Sequence, residues 1–321
     1  MSLRLRVKRA YQRPTKAAKR GLSRLLSRLT PAPPPGPLIC AGMVRNERDI
    51  IDVWIAHLLA LFDRIIIIDH LSDDGTRERL HQIAEKHPSL EVRHYDEPPK
   101  AQGRLMTELL QEVAARHSSG WMFLMDVDEF LMVPSRESLI ATLAEHHLAR
   151  TVRSTWAEVY PVEPEATTHA ATRLRGWTTQ PSVNCKVAVN LTHATLDLQI
   201  SFGNHNAWFS RRSFPGNVDV LHLLHLPIRS EAQFRAKLIQ RHATSQDAFA
   251  GWDFGRLEDL KERNTQLLAE LRQMVYNYGC QDRGKLSAVR PPPETIDATL
   301  GDLVPLHPEA EAPQPPTRRT E

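Results

Sequence analysis

From residue 38 to residue 125 the chain alternates short apolar runs with stretches whose apolar residues recur at helical spacing. Residues 38–43 are a run of strand length. Residues 47–61 place Ile51, Trp54, Ile55, Leu58 and Leu59 on one helical face. Asp63 and Arg64 precede 65–68, four isoleucines and too few for a helix. A polar loop, Asp69-His70-Leu71-Ser72-Asp73-Asp74-Gly75-Thr76, leads into a helix over about 77–86. Residues 90–95 read as a third strand, 105–117 as a helix and 121–125 as a fourth strand. This strand–helix alternation predicts an α/β fold with a mainly parallel, doubly wound (Rossmann-like) sheet.

The pattern is less regular afterwards. Residues 156–160, 186–191 and 218–224 read as strands that complete a mixed sheet. Residues 231–241 and 257–276 read as helices, the second with Leu260, Leu267, Leu268 and Leu271 in its apolar positions. The expected organisation is a basic tail over 1–36 that ends in a proline-rich linker, a folded body over 37–289, and a Pro-rich, mostly disordered tail over 290–321.

Charge sharpens this division. Residues 1–30 hold ten Lys and Arg, and no acid precedes Glu47, so the net charge of +3 conceals a mildly acidic body. Such a body is no nucleic-acid binder. In the tail Leu22, Leu25, Leu26 and Leu29 line one face of a potential helix. That segment fits an anionic membrane surface. A mitochondrial transit peptide has the same composition, and a plain disordered basic tail is the third reading. The three cysteines are far apart and odd in number, which favours neither a disulfide framework nor a zinc site. No apolar run reaches transmembrane length and no secretory leader is evident.

The chemistry lies at the strand ends. Trp121-Met122-Phe123-Leu124-Met125 runs into Asp126-Val127-Asp128-Glu129-Phe130. On a continuing strand Asp126 and Asp128 point the same way. Buried acids are unfavourable unless paired, and a divalent cation carrying phosphate would pair them. In doubly wound sheets ligands gather beyond the carboxyl ends of the strands, where both acidic loops, 69–74 and 126–129, are expected.

With these residues in place, the chain resembles the glycosyltransferases of family 2 and family 92 type, which adopt the GT-A fold. The likeness runs through Met43-Val44-Arg45-Asn46-Glu47, Asp52-Val53-Trp54-Ile55-Ala56-His57, the 68–76 loop and Asp126-Val127-Asp128-Glu129-Phe130. It continues more loosely in Gly203-Asn204-His205 and His225-Leu226-Pro227-Ile228-Arg229-Ser230. The resemblance covers about 38–240 and implies transfer of a sugar from a nucleotide diphosphate sugar to a glycan, lipid-linked or other hydroxyl acceptor, with inversion and with Mn²⁺ or Mg²⁺. It implies Asp128 as direct metal ligand, Asp126 at the metal or the donor ribose, Glu129 behind them, and His225 completing the site, with His222 as its competitor. It also implies nucleotide contacts from Arg45, Asn46, Glu47, Asp69 and Asp73, and diphosphate contacts from Arg229 and Lys237. For the general base, Glu158, His205 and Asp219 stay open.

Two other readings compete. Haloacid-dehalogenase-like phosphatases also place Asp-x-Asp after an apolar strand, but theirs opens the domain and carries Thr or Val where Phe130 stands. A transferase-fold scaffold without turnover, operating through its basic tail, is the other. The expected location is cytoplasmic, peripheral to the inner membrane face.

Overall fold

The computed structural model describes residues 16–32, 36–96, 102–161, 173–178, 185–195, 197–209, 217–227, 229–230, 233, 236–237 and 294–307. After a first helix, α1 (Lys16–Leu29), the chain enters β1 (Leu38–Val44), α2 (Ile51–Leu61), β2 (Arg64–Asp69), α3 (Thr76–Lys86), β3 (Leu90–His94), α4 (Gln102–Arg116) and β4 (Trp121–Leu124). The four strands pair in parallel in the order β3-β2-β1-β4.

Alternation along the strands builds two cores. Cys40, Ile65, Ile67 and Phe123 face α2 and α3 through Trp54, Ile55, Leu58, Leu80 and Ile83. Ile39, Ala41, Ile66, Ile68, Met122 and Leu124 face α4 through Met106, Leu109, Leu110 and Val113. Helices on both faces are what strands apolar at every position require.

The sheet then turns mixed. β5 (Glu129–Leu131) and α5 (Arg136–Ala144) follow β4, and β6 (Thr151–Pro161), β7 (Arg173–Thr178) and β8 (Cys185–Asn190) extend the sheet. A small hairpin of β9 (Gln199–Ile200) and β10 (Ala207–Trp208) precedes β11 (Asn217–His225). β8 runs antiparallel to both β4 and β6, whereas β11 runs parallel to β6 and antiparallel to β5. The result is a mixed, Rossmann-like sheet flanked by helices, consistent with the GT-A architecture.

Two expected boundaries move. The helix expected from residue 47 begins at Ile51, because Asn46 takes a left-handed φ of 56° and 48–50 form a turn. Residues 294–307, expected within the disordered tail, belong to the folded body. β12 (Glu294–Thr299) pairs antiparallel with β7, and α6 (Leu300–Leu303) opens with a capping box between Thr299 and Asp302. Leu300 and Val304 enter the core, and His57 Nδ1 lies 2.8 Å from the Pro305 carbonyl. Of the expected helix over 231–241, residues 233 and 236–237 are described and helical, while 257–276 and Cys280 lie outside the described residues. Cys40 and Cys185 are buried thiols outside any disulfide. No helix among the described residues is long and apolar enough to cross a membrane.

Candidate metal and donor site

β4 ends at Leu124, and Met125 N still donates to Ala41 O at 3.0 Å. The chain then turns through Val127 and Asp128, closed by a 3.2 Å bond from Glu129 N to Asp126 O, before β5 resumes. The strand does not continue through Asp126 and Asp128, so the alternation that would align them does not apply, and the two take different partners. Asp126 pairs with Lys186 of β8, whereas Asp128 takes Lys237 Nζ at 2.6 Å and His225 Nε2 at 3.6 Å. Glu129 enters beneath them, fully buried. The turn is held from below by Trp54, whose Nε1 donates to Glu129 O at 3.1 Å. Gly42 makes room for that ring, since a Cβ there would stand 2.7 Å from both the indole and Met125 O.

The histidine arrives by strand register. His225 closes β11 directly opposite Glu129 on β5, and Leu226 N donates to Asp128 O at 2.8 Å. His222, three residues earlier, falls on the other face of the strand, is exposed and meets Thr155 Oγ1 at 2.9 Å. Among the described residues, Asp128, Glu129 and His225 form a buried cluster whose ligand atoms all lie within 4.8 Å of one another. Asp126 is not in that cluster; Glu129 takes its place.

Charge is crowded here. Burial, reinforced by Asp126 and Asp128 against the opposing pull of Lys186 and His225, pushes the Glu129 carboxyl up to about 8. Burial also works to raise Asp128, but Lys237, His225 and Arg229 outweigh it and hold that carboxyl well below the usual range. Lys186 is 2 % exposed; burial alone would lower its pKa, yet Asp126 and Glu129 raise it, so the ammonium stays charged. A buried carboxyl forced to keep its proton beside two others is the situation a divalent cation relieves. The two carboxylates suit Mn²⁺ or Mg²⁺, and the imidazole favours Mn²⁺ of the two.

The nucleotide-facing edge has a different character. Arg45 is half-buried in the loop after β1. Asn46 ties that loop to its neighbour, accepting from Asp73 N at 2.9 Å and donating its own N–H to Ser72 Oγ at 3.0 Å. Asp73 itself is exposed and contributes its backbone to that tie, while Asp74 accepts from Thr76 N at 2.9 Å just ahead of α3. Asp69 is fully buried at the end of β2 and accepts from Arg77 Nε at 2.6 Å. Arg229, expected at diphosphate oxygens, is instead 2 % exposed and pairs with Glu47 and with Asp49 at 2.7 Å. It ties the loop after β1 to the segment after β11. Burial raises the Glu47 pKa against the pull of Arg229 and Lys237.

The three base candidates separate. His205 belongs to the site: its ring lies 5.4 Å from Trp156, whose own ring lies 4.3 Å from His225. His205 Nδ1 is 2.8 Å from the Cys185 carbonyl, which only accepts, so Nδ1 carries hydrogen and Nε2 the lone pair. Burial and Lys186 lower its pKa, which favours the neutral ring. Glu158 stands opposite His225 in the β6–β11 register. Asp219 does not reach the site. It accepts from Arg153 Nε at 2.5 Å and lies six residues before His225, about 20 Å along the strand.

Lys186, Trp156, Asp49 and Arg77 were not singled out by the sequence pattern. Lys186 had a signal: a lone lysine in Cys-Lys-Val-Ala-Val must find a buried partner. The others had none, because each depends on pairing across the fold.

No family model matches the chain, and no curated protein does. Among solved structures, the mannosyltransferase PcManGT from Pyrobaculum calidifontis, in complex with GDP-Man and Mn²⁺, is 13 % identical over 71 % of this chain and 70 % of that one, with a TM-score of 0.35. GalNAc-T7 with UDP, GalNAc and Mn²⁺ is 10 % identical over 60 % of this chain and 44 % of that one, TM-score 0.36. HddC from Yersinia pseudotuberculosis is 9 % identical over 63 % and 97 %, TM-score 0.33. Likenesses of this degree assign neither substrate nor activity to the chain.

Proposed function

We propose that this protein is a metal-dependent glycosyltransferase that moves a sugar from a nucleotide diphosphate sugar to an acceptor hydroxyl. The observation that carries this reading is the convergence of Asp128, Glu129 and His225, all buried, at the carboxyl end of the parallel strands. Those three would hold Mn²⁺ or Mg²⁺, and the ion would offset charge on the departing diphosphate. The chain's own residues set the rest. Lys186 keeps Asp126 in place, and Lys237 lies on the Asp128 carboxylate and faces the site. Asp69, held by Arg77, is the acid for the nucleobase or ribose, with Arg45, Asn46 and Glu47 shaping the adjoining loop. His205, with its lone pair on Nε2, is the base for the acceptor hydroxyl, and Glu158 is the other candidate.

The test is a thermal-shift panel of nucleoside diphosphates and nucleotide sugars with Mn²⁺ or EDTA, followed by transfer of radiolabelled sugar from whichever donor binds. A shift of a few degrees for one nucleotide only with metal supports the reading. Metal-dependent binding without any turnover would instead support the scaffold, in which the same site binds without reacting. That second reading draws on the two lysines already lying on Asp126 and Asp128.

A further inference from the structure

An amphipathic helix that packs on its own domain ordinarily turns its apolar stripe inward. α1 does the reverse. Ser23 is 0 % exposed and Ser27 8 %, and Ser23 Oγ lies 2.9 Å from His146 Nδ1, so the small polar face is the docked one. Arg24 adds a 2.8 Å ion pair to Glu145. Three of the four leucines point away from the body, Leu22 37 %, Leu25 55 % and Leu29 74 % exposed, while Leu26 is half-buried. Spaced at i, i+3 and i+7, they share an arc of about 60° on the helix surface, well away from Ser23 and Ser27. Arg20 and Arg28 are exposed on the same helix, and all ten Lys and Arg of residues 1–30 lie on a stretch without one acid.

We propose that α1 docks this protein on an anionic lipid surface, with Leu22, Leu25 and Leu29 inserted at the acyl boundary and the positive charge of this acid-free segment drawn to lipid phosphate. Charge chooses the occupant. A second copy of the chain would cover the leucines but set one cationic segment against another. A 14-residue helix offering three leucines also falls short of the roughly 800 Å² per partner that a stable dimer needs. An anionic bilayer takes up the apolar stripe and the positive charge together, which is how interfacial helices bind. The fixed docking through Ser23 presents the stripe already formed. The inference does not depend on the sugar-transfer reading, because vesicle binding is measured without donor, metal or turnover.

The experiment uses the full chain in co-sedimentation with phosphatidylcholine vesicles, with or without about one third phosphatidylglycerol. We expect binding to the anionic vesicles only, weakened by raised salt. The variant Leu22→Gln, Leu25→Gln, Leu29→Gln should lose at least about tenfold in vesicle affinity with an unchanged melting temperature, since these side chains are exposed. Arg28→Gln, on the flank of the stripe, should weaken binding and flatten its salt dependence. Binding by the leucine variant equal to wild type would overturn the proposal, leaving bare charge attraction. So would a wild-type chain that ignores anionic vesicles, or one that forms a dimer which the leucine variant abolishes.

Discussion

The parallel half of the sheet and the mixed half meet at β4, and they are held by different interactions. β1, β2 and β4 are apolar almost throughout and sandwiched between helices, so apart from the Asp69–Arg77 pair at the end of β2 their side chains are held chiefly by hydrophobic burial. β5, β6, β8 and β11 carry Glu129, Lys186 and His225 into the interior, and their packing is inseparable from a set of buried ion pairs. The first half can therefore be altered by volume and the second by charge. The candidate metal site lies on the seam, where a rigid apolar floor holds acids that would otherwise repel.

The largest expected effect breaks the floor. Trp54→Ala removes a fully buried indole and its bond to Glu129 O, and should cost about 3–5 kcal/mol in denaturant-induced unfolding. Next is charge on the other side of the seam. Lys186→Met strands Asp126 and crowds Glu129, and should cost about 3 kcal/mol. Adding Asp126→Asn should return part of that loss, and a strictly additive double variant would show that the pair is not coupled.

Acid separates the halves further. Burial lowers the His57 pKa from 6.5 to about 4, with Leu131 N donating to its Nε2 at 2.8 Å and Pro305 O opposite. An unfolded chain takes up this proton below pH 6.5 while the folded chain declines it, so stability is full above 6.5 and falls as pH drops towards 4. The loss is on the order of 3 kcal/mol and should be absent in a His57→Gln variant, measured by unfolding at stepped pH. Glu129 works in the opposite direction. Its carboxyl keeps a proton to about pH 8 when folded, so metal-free stability falls as pH rises from 4.5 to 8. Glu129→Gln should then raise metal-free stability at pH 8 while weakening Mn²⁺ binding. The smallest effect is expected at Asp219→Asn, which should leave turnover within about twofold because that carboxylate serves Arg153, remote from the site. A hundredfold loss would bring Asp219 back as a base.

Legibility followed the same division. The isoleucine run at 65–68 and the apolar run at 121–125 announce buried strands, and the loops after them fall at the carboxyl edge as expected. What Asp126 and Asp128 do there was not legible, since a turn at Val127 decides it and nothing in Asp-Val-Asp-Glu forbids a continuing strand. Asp128 and His225 were legible as candidate ligands by their resemblance; Glu129 joins them in the buried cluster through the register of β5 against β11. Arg229 read as a phosphate contact because its acid partners, Glu47 and Asp49, stand about 180 residues earlier. Residues 294–307 read as tail because the six-residue strand is too short, and Leu300, Leu303, Val304 and Leu306 after it lie too close to prolines, to give a sustained periodic signal.

The most direct test of the central claim is calorimetric titration of Mn²⁺ into wild type and His225→Ala, with and without a saturating nucleoside diphosphate. We predict one ion per wild-type chain, bound more tightly when the diphosphate is present, and at least about tenfold weaker binding in His225→Ala. Equal Mn²⁺ affinity in the two proteins, or no binding to a folded wild type, would contradict the assignment of Asp128, Glu129 and His225 as a metal site.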